Sequence, residues 1–368
     1  MNVRYHIYKD IQLDRAGASD EEIFLRGTRT ARKVNRLRYS FVSMCYHPGR
    51  KTLYLGTTNG DGDILVAFNP ATGKFTSCGF ARSGLRNRHD VKIHKGIWLD
   101  EKEDALYFGT ATLSPYADMF DSKGGSLLRY RIAARKFERL ARPTPGDYYQ
   151  ATCYDPKRKM MYFYTIRNCF GVYDLKARRL VRYEAVESTP HCGIIDDAGG
   201  AWGTYSSSAQ AFYRYDPARD RFEFPKGLAF PNAYEASDIM YRGAGPVDSF
   251  IKAPDGSLYA GSALAELYRI DPVARTIEFI CKPFPGQRLP GLAFGPDGLL
   301  YMCGGSDGHS MLSRYNPRTG GMETLGPVTA RDGTSCFRCH EMVIIGRTAY
   351  IGETDNQTRS GYLWECQI

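Results

Sequence analysis

The stretch YDPARDRF at residues 215–222 carries the pattern that decides the fold of this chain. An aromatic residue closes a hydrophobic strand, an Asp or Asn usually follows, and a short turn leads to a basic or aromatic restart. Such a phrase joins two antiparallel strands through a tight turn. The other copies, some of them degenerate, are FNPATGKF at 68–75, YRIAARKF at 130–137, YDLKARRL at 173–180, IDPVARTIEF at 270–279, YNPRTGGME at 315–323 and a truncated YLWECQI at 362–368.

The copies recur at intervals of about 40 to 60 residues, which is typical of propellers and repeat arrays. Each copy follows a second hydrophobic strand that carries a pair such as Leu53–Tyr54 or Leu300–Tyr301. We therefore predict an all-β, seven-bladed β-propeller that forms a single domain over residues 1–368. The blades are expected at about 39–80, 90–141, 147–184, 189–226, 247–282, 290–326 and 334–368.

The last repeat ends before it has supplied a fourth strand. The N-terminal segment VRYHIYKDI at 3–11 alternates as a strand should. We predict that this strand pairs with the last blade and closes the ring, which removes exposed sheet edges. The remainder of residues 1–38 is interpreted as a charged connector with one or two helical turns.

The chain is basic, with 49 Lys and Arg against 40 Asp and Glu and a formal net charge of +9. Such an excess suits either nucleic acid or a smaller anionic ligand. Because the sequence has no recognition-helix, RNA-binding or zinc-finger signature, we expect no nucleic-acid partner. An anionic oligosaccharide or polysaccharide, such as one that contains a uronate, suits the same charge.

Ten cysteines are scattered through hydrophobic strand patterns rather than spaced as a disulfide framework, which favours a reducing compartment. No run of about 18 apolar residues occurs, so no membrane partner is expected. The N-terminal MNVRYHIYKD lacks the apolar core of a signal peptide. We expect a cytoplasmic protein if Met1 is native, and a secreted or periplasmic one if a signal peptide has been removed.

Polar residues are concentrated at two kinds of position in the repeats. The start of the first strand and the end of the second strand of each blade lie at one end of a propeller, so their side chains are expected around one cavity. Each also has a structural interpretation, as a turn cap, a wall residue or half of an internal ion pair. The candidates are His94, Tyr149, His191, Cys339, His340, Thr110, Arg167, Tyr205, Cys303, Glu353 and Asp355, with Arg88 just before blade two.

A second pattern concerns metal binding. Cys336 and Cys339 have a CxxC spacing, and His340 follows at once, which combines soft sulfur ligands with an imidazole. Cys303 of the preceding blade could reach the same place. We expect these four residues to bind a structural Zn²⁺, and we expect no organic cofactor.

Three stretches resemble a known family: KIHKGIW with LYFGT at 92–110, Tyr149 with Arg167, and CH with YIGETDNQTRSGYLWE at 339–365. They resemble the seven-bladed β-propeller polysaccharide lyases that cut next to glucuronate, namely the ulvan lyases and rhamnosyl-glucuronate lyases. The resemblance implies a histidine and a tyrosine as base and acid, an arginine that neutralises the substrate carboxylate, and a structural Cys/His zinc. One departure is that Ala111 stands where relatives carry a second histidine.

The implied reaction is β-elimination beside a uronate carboxylate. Arg167 would neutralise the carboxylate, which makes the C5 proton more acidic. His94 or Tyr149 would remove that proton, and Tyr149 or His191 would protonate the departing O4. Because Ala111 replaces the second histidine, His191 or Tyr149 substitutes for it, or the activity has changed or been lost. The expected substrate-binding residues are Thr110, Tyr205, Arg88 and Glu353.

Three alternatives remain open from the sequence. A glycoside hydrolase would need two carboxylates at a set separation, for which Glu353 and Asp355 are the candidates. A non-catalytic propeller would bind sugar or protein, since fold does not decide function. A metal-dependent lyase or lactonase would use His94, His191 and His340 as ligands of a central cation.

Overall fold

The computed structural model describes residues 1–12, 20–24, 31–35, 39–60, 62–113, 121–186, 191–205, 211–231 and 246–368. Within these ranges the regular structure is almost entirely β-strand, with one short 3-10 helix at Phe80–Arg82. The strands form seven four-stranded antiparallel sheets and a separate two-stranded sheet. The protein is therefore an all-β, seven-bladed β-propeller, as the repeats predict.

By its internal contacts the chain divides into two compact units. The first unit comprises Lys9–Thr189 with Gln357–Ser360, and the second comprises Met1–Tyr8, Pro190–Asn356 and Gly361–Ile368. The expectation of a single domain stays a prediction.

The N-terminal strand β1 (Asn2–His6) belongs to the second unit, and the first unit holds the next fourteen strands. Strands β2 (Asp20–Phe24) and β3 (Ala31–Asn35) pair as a two-stranded sheet. In these two described segments the connector forms strands and not the expected helical turns; its other expected turns fall on residues outside the described ranges. Three blades follow: β4 (Ser40–His47), β5 (Thr52–Thr58), β6 (Leu65–Asn69) and β7 (Lys74–Ser77); β8 (Trp98–Asp100), β9 (Ala105–Gly109), β10 (Leu127–Arg131) and β11 (Lys136–Ala141); β12 (Tyr149–Asp155), β13 (Met160–Thr165), β14 (Cys169–Asp174) and β15 (Arg179–Ala185).

The second unit holds the other four sheets, each again made of strands that are neighbours along the chain. They are β16 (Ile194–Ile195), β17 (Ala201–Tyr205), β18 (Ala211–Asp216) and β19 (Arg221–Glu223); β20 (Val247–Lys252), β21 (Leu258–Ser262), β22 (Leu267–Asp271) and β23 (Thr276–Cys281); β24 (Gly291–Phe294), β25 (Leu300–Ser306), β26 (His309–Tyr315) and β27 (Met322–Pro327); and β28 (Cys339–Ile345), β29 (Thr348–Glu353) and β30 (Leu363–Gln367), which β1 completes.

Closure of the last blade by the N-terminal strand is confirmed. Strand β1 pairs antiparallel with β30 from Asn2↔Gln367 to His6↔Leu363. The carboxylate of Glu365, which is nearly fully buried, forms an ion pair with the Arg4 guanidinium at 2.6 Å and lies 2.7 Å from His6 Nε2. The Arg4–Glu365 ion pair and the contact of His6 with Glu365 therefore hold β1 on β30 in addition to the backbone hydrogen bonds.

The middle strands of a blade are buried on both faces, while the outermost strand is exposed. All five residues of β9 (ALYFG) are buried, whereas β15 (RLVRYEA) has only intermediate and exposed residues. A strand with sheets packed on both faces is expected to be a continuous hydrophobic run. This explains why the hydrophobic pairs of the sequence mark the second strand of each blade.

The sequence also contains two long insertions, at 113–125 and 229–246, for which a role as lid or binding loop is expected; most of their residues lie outside the described ranges. Among the residues that are described, no helix has the length and apolar character needed to cross a bilayer.

Candidate functional site

The first unit contains a cavity of about 470 Å³ whose lining is strongly basic. It lies between the segment that precedes β8, the connection that leads into β10, and the end of β11. We call it the basic pocket. Its lining residues with charged or hydrogen-bonding side chains are Arg86, Asn87, Arg88, His89, Asp121, Ser122, Lys123, Arg139 and Arg142.

Two arginines share one backbone oxygen at the wall of this pocket. Arg139 donates to the Leu85 carbonyl at 2.7 Å, and Arg142 donates to the same oxygen at 3.3 Å. Burial, and after it the like charge of Arg142, lower the pKa of the Arg139 guanidinium. Adjacent like charges of this kind favour an anion between or beside them.

Asp90 forms the buried floor next to these arginines. Its side chain accepts hydrogen bonds from the Thr110 hydroxyl at 2.7 Å and from the Asn87 backbone N–H at 3.0 Å. Arg142 lies 3.4 Å away and also donates to Ser126 Oγ at 2.9 Å. Burial raises the pKa of Asp90, and its hydrogen bonds act against that shift. Thr110, expected to bind substrate, therefore holds Asp90 in place instead.

His89 lies at the pocket wall with its ring fixed by Arg88. The Arg88 Nε–H donates to His89 Nε2 at 2.9 Å, so this nitrogen is an acceptor and the imidazole is neutral in this arrangement. The His89 backbone N–H also donates to Asn87 Oδ1 at 2.7 Å. Arg88, one of the expected substrate-binding residues, is exposed and lines the pocket.

Tyr148 brings a phenol to the same place. Its ring is fully buried, and the ring centroid lies 6.1 Å from that of His89. Burial raises the pKa of Tyr148, while the neighbouring side chains of Ser122 and Asn87 act to lower it. Within the described part of the chain, no group completes a hydrogen bond of good geometry to its hydroxyl. The lining of the pocket thus combines an imidazole with several guanidinium groups, and the phenol of Tyr148 lies next to His89 but is not part of that lining.

Tyr149, the expected acid or base, is enclosed in the core of the first unit. Its ring packs against Phe163 at 5.0 Å, and its hydroxyl donates to the Gly125 carbonyl at 3.1 Å. A Cβ at Gly109 or Gly125 would lie within 2.9 Å of this ring, so both glycines make room for it. Tyr149 therefore packs in the core, and its catalytic role stays a prediction.

His94 is buried against the backbone of β12. Its Nδ1 lies 2.8 Å from the Gln150 carbonyl and donates to it, which leaves Nε2 as the acceptor nitrogen. His94 is not among the residues that line the basic pocket. Its catalytic role remains a prediction.

Arg167 does not stand at the end of the second strand of its blade, where the sequence analysis places it. Strand β13 ends at Thr165, and Arg167 lies in the following turn with its side chain exposed. Its backbone N–H donates to Asp147 Oδ1 at 3.3 Å. Because β13 ends two residues before Arg167, the guanidinium is not carried into the sheet.

In the second unit, His191 lies beside a buried ion pair. Its Nδ1 is 3.4 Å from Asp248, whose carboxylate accepts two hydrogen bonds of 2.8 Å from Arg288. Burial alone would raise the pKa of Asp248, but Arg288 and His191 outweigh it and hold that pKa well below its usual range. Tyr205 packs its ring against Phe224 at 5.0 Å.

Glu353 is a structural hub, which corrects its expected role as a substrate-binding residue. The fully buried carboxylate accepts from the backbone N–H groups of Phe337 and Tyr362 at 2.9 and 2.8 Å. The side chains of Asn356 and Trp364 donate to it at 2.9 and 3.0 Å. With four donors it has no oxygen left for a substrate, and a hydrolase built on this residue is not supported.

The predicted metal ligands are buried in the second unit. Cys336 Sγ and Cys339 Sγ lie 4.0 Å apart, and hydrogen bonds from Cys303 and Cys336 lower the pKa of Cys339 well below its ordinary value. Across the described ranges, no three or more His, Cys, Asp or Glu side chains are arranged to hold a metal ion. The geometry thus gives the zinc expectation no support, and zinc binding remains a prediction.

Sequence reasoning did not single out the acid–base residues of the basic pocket. The sequence feature that could have pointed to this pocket is the segment RNRHD at 86–90, in which two arginines are followed by His89 and Asp90. The sequence left open which ring of the adjacent pair Tyr148–Tyr149 faces a cavity; Tyr148 lies next to the pocket residue His89, and the catalytic role of Tyr149 stays a prediction.

Comparison with solved structures identifies the fold of the whole chain. A catalytically inactive histidine-to-alanine variant of virginiamycin B lyase from Staphylococcus aureus, with quinupristin, matches with a TM-score of 0.65 at 13% identity, over 95% of this chain and 99% of that one. The selenomethionine form of that enzyme matches with a TM-score of 0.62 at 14% identity. At such identities the likeness shows the fold alone.

A third solved structure, a protein of unknown function from Bacteroides thetaiotaomicron, matches with a TM-score of 0.52 at 13% identity. The match covers 99% of this chain and 76% of that one. No protein-family model matches the sequence, and no curated protein matches it either.

Proposed function

We propose that this protein is a carbon–oxygen lyase that acts in the basic pocket on a carboxylate-bearing substrate, with uronate oligosaccharides as the substrate class. The observation that carries the proposal is that His89 and a set of guanidinium groups line one cavity, with the buried ring of Tyr148 next to His89. The lyase that shares the fold is consistent with such chemistry. The resemblance of the sequence to uronate-specific propeller lyases supplies the substrate class.

The pocket is suited to neutralising a carboxylate. Five basic side chains line it, whereas Asp121 is the one acidic side chain among its lining residues and Asp90 lies beneath. Neutralising the carboxylate stabilises the negative charge that develops when the neighbouring carbon loses its proton. Arginine is suited to this because its planar donors match both carboxylate oxygens.

Arg88 links substrate binding to the activation of His89. In the structure its guanidinium occupies the Nε2 lone pair of His89. A substrate carboxylate competes for that guanidinium, and when Arg88 turns to it the lone pair of His89 is freed to accept the C5 proton. The base is thereby exposed only when an anionic substrate is present.

Tyr148 is the proposed acid. Because burial raises its pKa, its phenol stays protonated at neutral pH and can donate to the departing O4. The electrons of the C5–H bond form the C4=C5 double bond, and those of the C4–O4 bond leave with the oxygen. His89 afterwards releases its proton and Tyr148 recovers one, so the reaction needs no net proton or electron.

The first test is incubation with a panel of uronate oligosaccharides while following the ultraviolet absorbance of an unsaturated uronate. Tyr148→Phe should lower the turnover by about 10²-fold or more, the scale of a lost general acid. Its thermal unfolding should change little, because the hydroxyl makes no well-formed hydrogen bond.

The matched control is Tyr149→Phe, the same substitution at the neighbouring tyrosine. It removes a hydrogen bond to Gly125, so it should lower stability by about 1 kcal/mol and leave turnover of the folded protein unchanged. The reverse result, with turnover lost only in Tyr149→Phe, would overturn the assignment.

The second candidate function is a propeller that binds an anionic ligand in the same pocket and does not catalyse elimination. The observation that favours it is that neither His94 nor Arg167, the residues implied by the family resemblance, lines the pocket. Saturable binding of uronate oligomers with no absorbance change across the whole panel would establish it and exclude the lyase.

A further inference from the structure

We propose that a groove between the second and third blades binds the far end of an anionic oligosaccharide whose other end lies in the basic pocket. The inference rests on the proposed function, because it takes the oligouronate substrate class from there and adds a second region of contact. The groove has a volume of about 540 Å³, and we call it the inter-blade groove. Its basic side chains are Arg129, Arg139, Lys159, Lys176 and Arg178.

The two carboxylates that line this groove are neutralised by neighbouring cations. Glu103 accepts a hydrogen bond from Lys159 Nζ at 2.5 Å, and Glu138 accepts two from Arg129 at 2.6 and 2.9 Å. Burial alone would raise the pKa of both carboxyl groups, but these hydrogen bonds outweigh it and hold each pKa below its ordinary value. Both carboxylates therefore stay charged and lack the proton of a general acid, so the groove is suited to binding rather than to catalysis.

Lys176 and Arg178 supply the positive charge that the groove offers to a ligand. Both residues are exposed and lie in the turn between β14 and β15. Across the described ranges, neither side chain forms an ion pair with a carboxylate. Tyr173 also lines the groove: burial raises the pKa of its phenol, and the charge of the nearby Arg178 acts against that shift. The two cations and this phenol are donors that fit a carboxylate.

The walls of the groove also offer apolar surface for the faces of sugar rings. Leu140 and Leu175 line it and pack against the hydrophobic cluster that contains Tyr107 and Tyr173. Ligand sites commonly combine such surface with a few well-placed polar groups. The groove has both, which suits a carboxylated sugar better than a free inorganic anion.

Arg139 connects the inter-blade groove with the basic pocket, because it lines both cavities. It belongs to β11, the edge strand of its sheet; Leu140 of this strand lines the groove, and Arg142 just beyond it lines the pocket. An extended chain advances about 3.3 Å per residue, so Arg139 and Arg142 lie about 10 Å apart along it. A ligand of several sugar residues that follows this edge reaches both cavities, whereas a disaccharide in the pocket does not extend to Lys176 and Arg178.

For a ligand already held in the basic pocket, contact with the groove is an intramolecular event. Linked contacts raise the overall affinity through the effective concentration of the second contact. We therefore expect the affinity to rise with the length of the oligomer, and we expect this rise to depend on Arg178.

Isothermal titration calorimetry of the full chain with digalacturonate and with octagalacturonate tests this expectation. Tyr148→Phe is present in every protein, so that binding is measured without the proposed cleavage. The octamer should bind at least about tenfold more tightly than the dimer. Arg178→Gln should remove most of that difference by weakening octamer binding, and it should leave dimer binding unchanged.

The matched control is Arg179→Gln at the neighbouring residue. Arg179 is also exposed, but it is not among the lining residues of the groove or of the basic pocket. The change in net charge is the same as in Arg178→Gln, so only a contact in the groove separates the two variants. Arg179→Gln should therefore leave the affinity for both oligomers unchanged.

Four results would overturn the inference: no binding of either oligomer, equal affinity of the two oligomers, equal effects of the two variants, or a loss of dimer binding in Arg178→Gln. The proposed function is tested separately, by the ultraviolet absorbance that the native chain produces with the panel of uronate oligosaccharides. Length-dependent binding without that absorbance across the panel would support the groove and exclude the lyase. Cleavage without length-dependent binding would support the lyase and exclude the groove.

Discussion

At the scale of single residues, the contrast between Tyr148 and Tyr149 shows how position in a strand decides a role. Tyr149 begins β12 and its ring enters the core, whereas Tyr148 precedes the strand and its ring lies beside His89. Successive side chains of an extended chain point to opposite sides. Both rings are fully buried, so the difference lies in what each hydroxyl meets.

A second contrast at this scale concerns charged groups that are buried. Glu353 is fully satisfied by four donors and Asp248 by Arg288, so both contribute to the structure of the second unit. Removing one partner of such a pair leaves the other charge buried and uncompensated. Asp248 is therefore a sensitive probe of stability.

We predict that Asp248→Asn destabilises the protein by about 3–5 kcal/mol, since Arg288 is left without its counter-charge. The pKa of Asp248 is lowered by Arg288 and His191, so its contribution is fully present above the unfolded value of about 3.9. That contribution is lost as the pH falls below this value toward the lower pKa of the folded state.

Urea unfolding at pH 7, 5 and 3.5 measures this effect. The native protein should lose more stability toward acid than Asp248→Asn does. Asp197→Asn, at an exposed carboxylate that pairs with Lys252, is the matched control and should lie close to the native protein at every pH. Equal acid sensitivity of native protein and Asp248→Asn would contradict the assignment.

At the scale of elements, the pairing of β1 with β30 completes the last blade. Without β1, the N–H and C=O groups of β30 would form an exposed sheet edge, which is prone to pair with other chains. Arg4 and His6 would also no longer meet the buried Glu365.

We predict that removal of residues 1–8 lowers the melting temperature and promotes association, because it exposes the edge of β30. Thermal unfolding with light scattering measures both effects. Arg4→Gln is the milder control: it removes one ion pair but keeps the backbone pairing, so it should associate no more than the native protein does. A truncated protein that melts like the native one without associating would show that β1 contributes nothing to closure.

At the scale of the whole molecule, the net charge of +9 says more about ligand binding once the positions of individual arginines are known. Many arginines pair with carboxylates in the sheets, as Arg129 does with Glu138 at 2.6 Å. In the basic pocket Arg139 and Arg142 instead donate to the Leu85 carbonyl, and Arg142 alone of these two pairs with Asp90, which leaves positive charge available to a ligand.

We predict that an oligogalacturonate binds in the basic pocket and that its affinity falls severalfold between about 20 and about 200 mM NaCl, because salt screens exposed charges. Isothermal titration calorimetry measures the affinity. Arg142→Gln should weaken binding by about tenfold, whereas Arg318→Gln, with the same change in net charge at an exposed site of the second unit, should not. Equal effects of the two variants would mean that only overall charge matters.

The sequence by itself determined the fold class, the positions of the repeats and the closing strand. These depend on local signals, namely turn residues, strand periodicity and an N-terminal strand that complements an incomplete last repeat. It also drew attention to Arg88, and to the pair of tyrosines of which one lies by the pocket. Such features follow from chain-local physics, so they can be predicted without coordinates.

Only the tertiary structure decided which polar side chains share a cavity. Strand β13 ends before Arg167. The Glu353 carboxylate accepts hydrogen bonds from four donors, and the Thr110 hydroxyl donates to Asp90. The spacing of residues in the sequence reveals none of these placements. The partners of a buried polar group come from distant parts of the chain, and its burial must be compensated by those partners. For that reason the proximity of His89, Tyr148 and Arg142 could be recognised only from the tertiary structure.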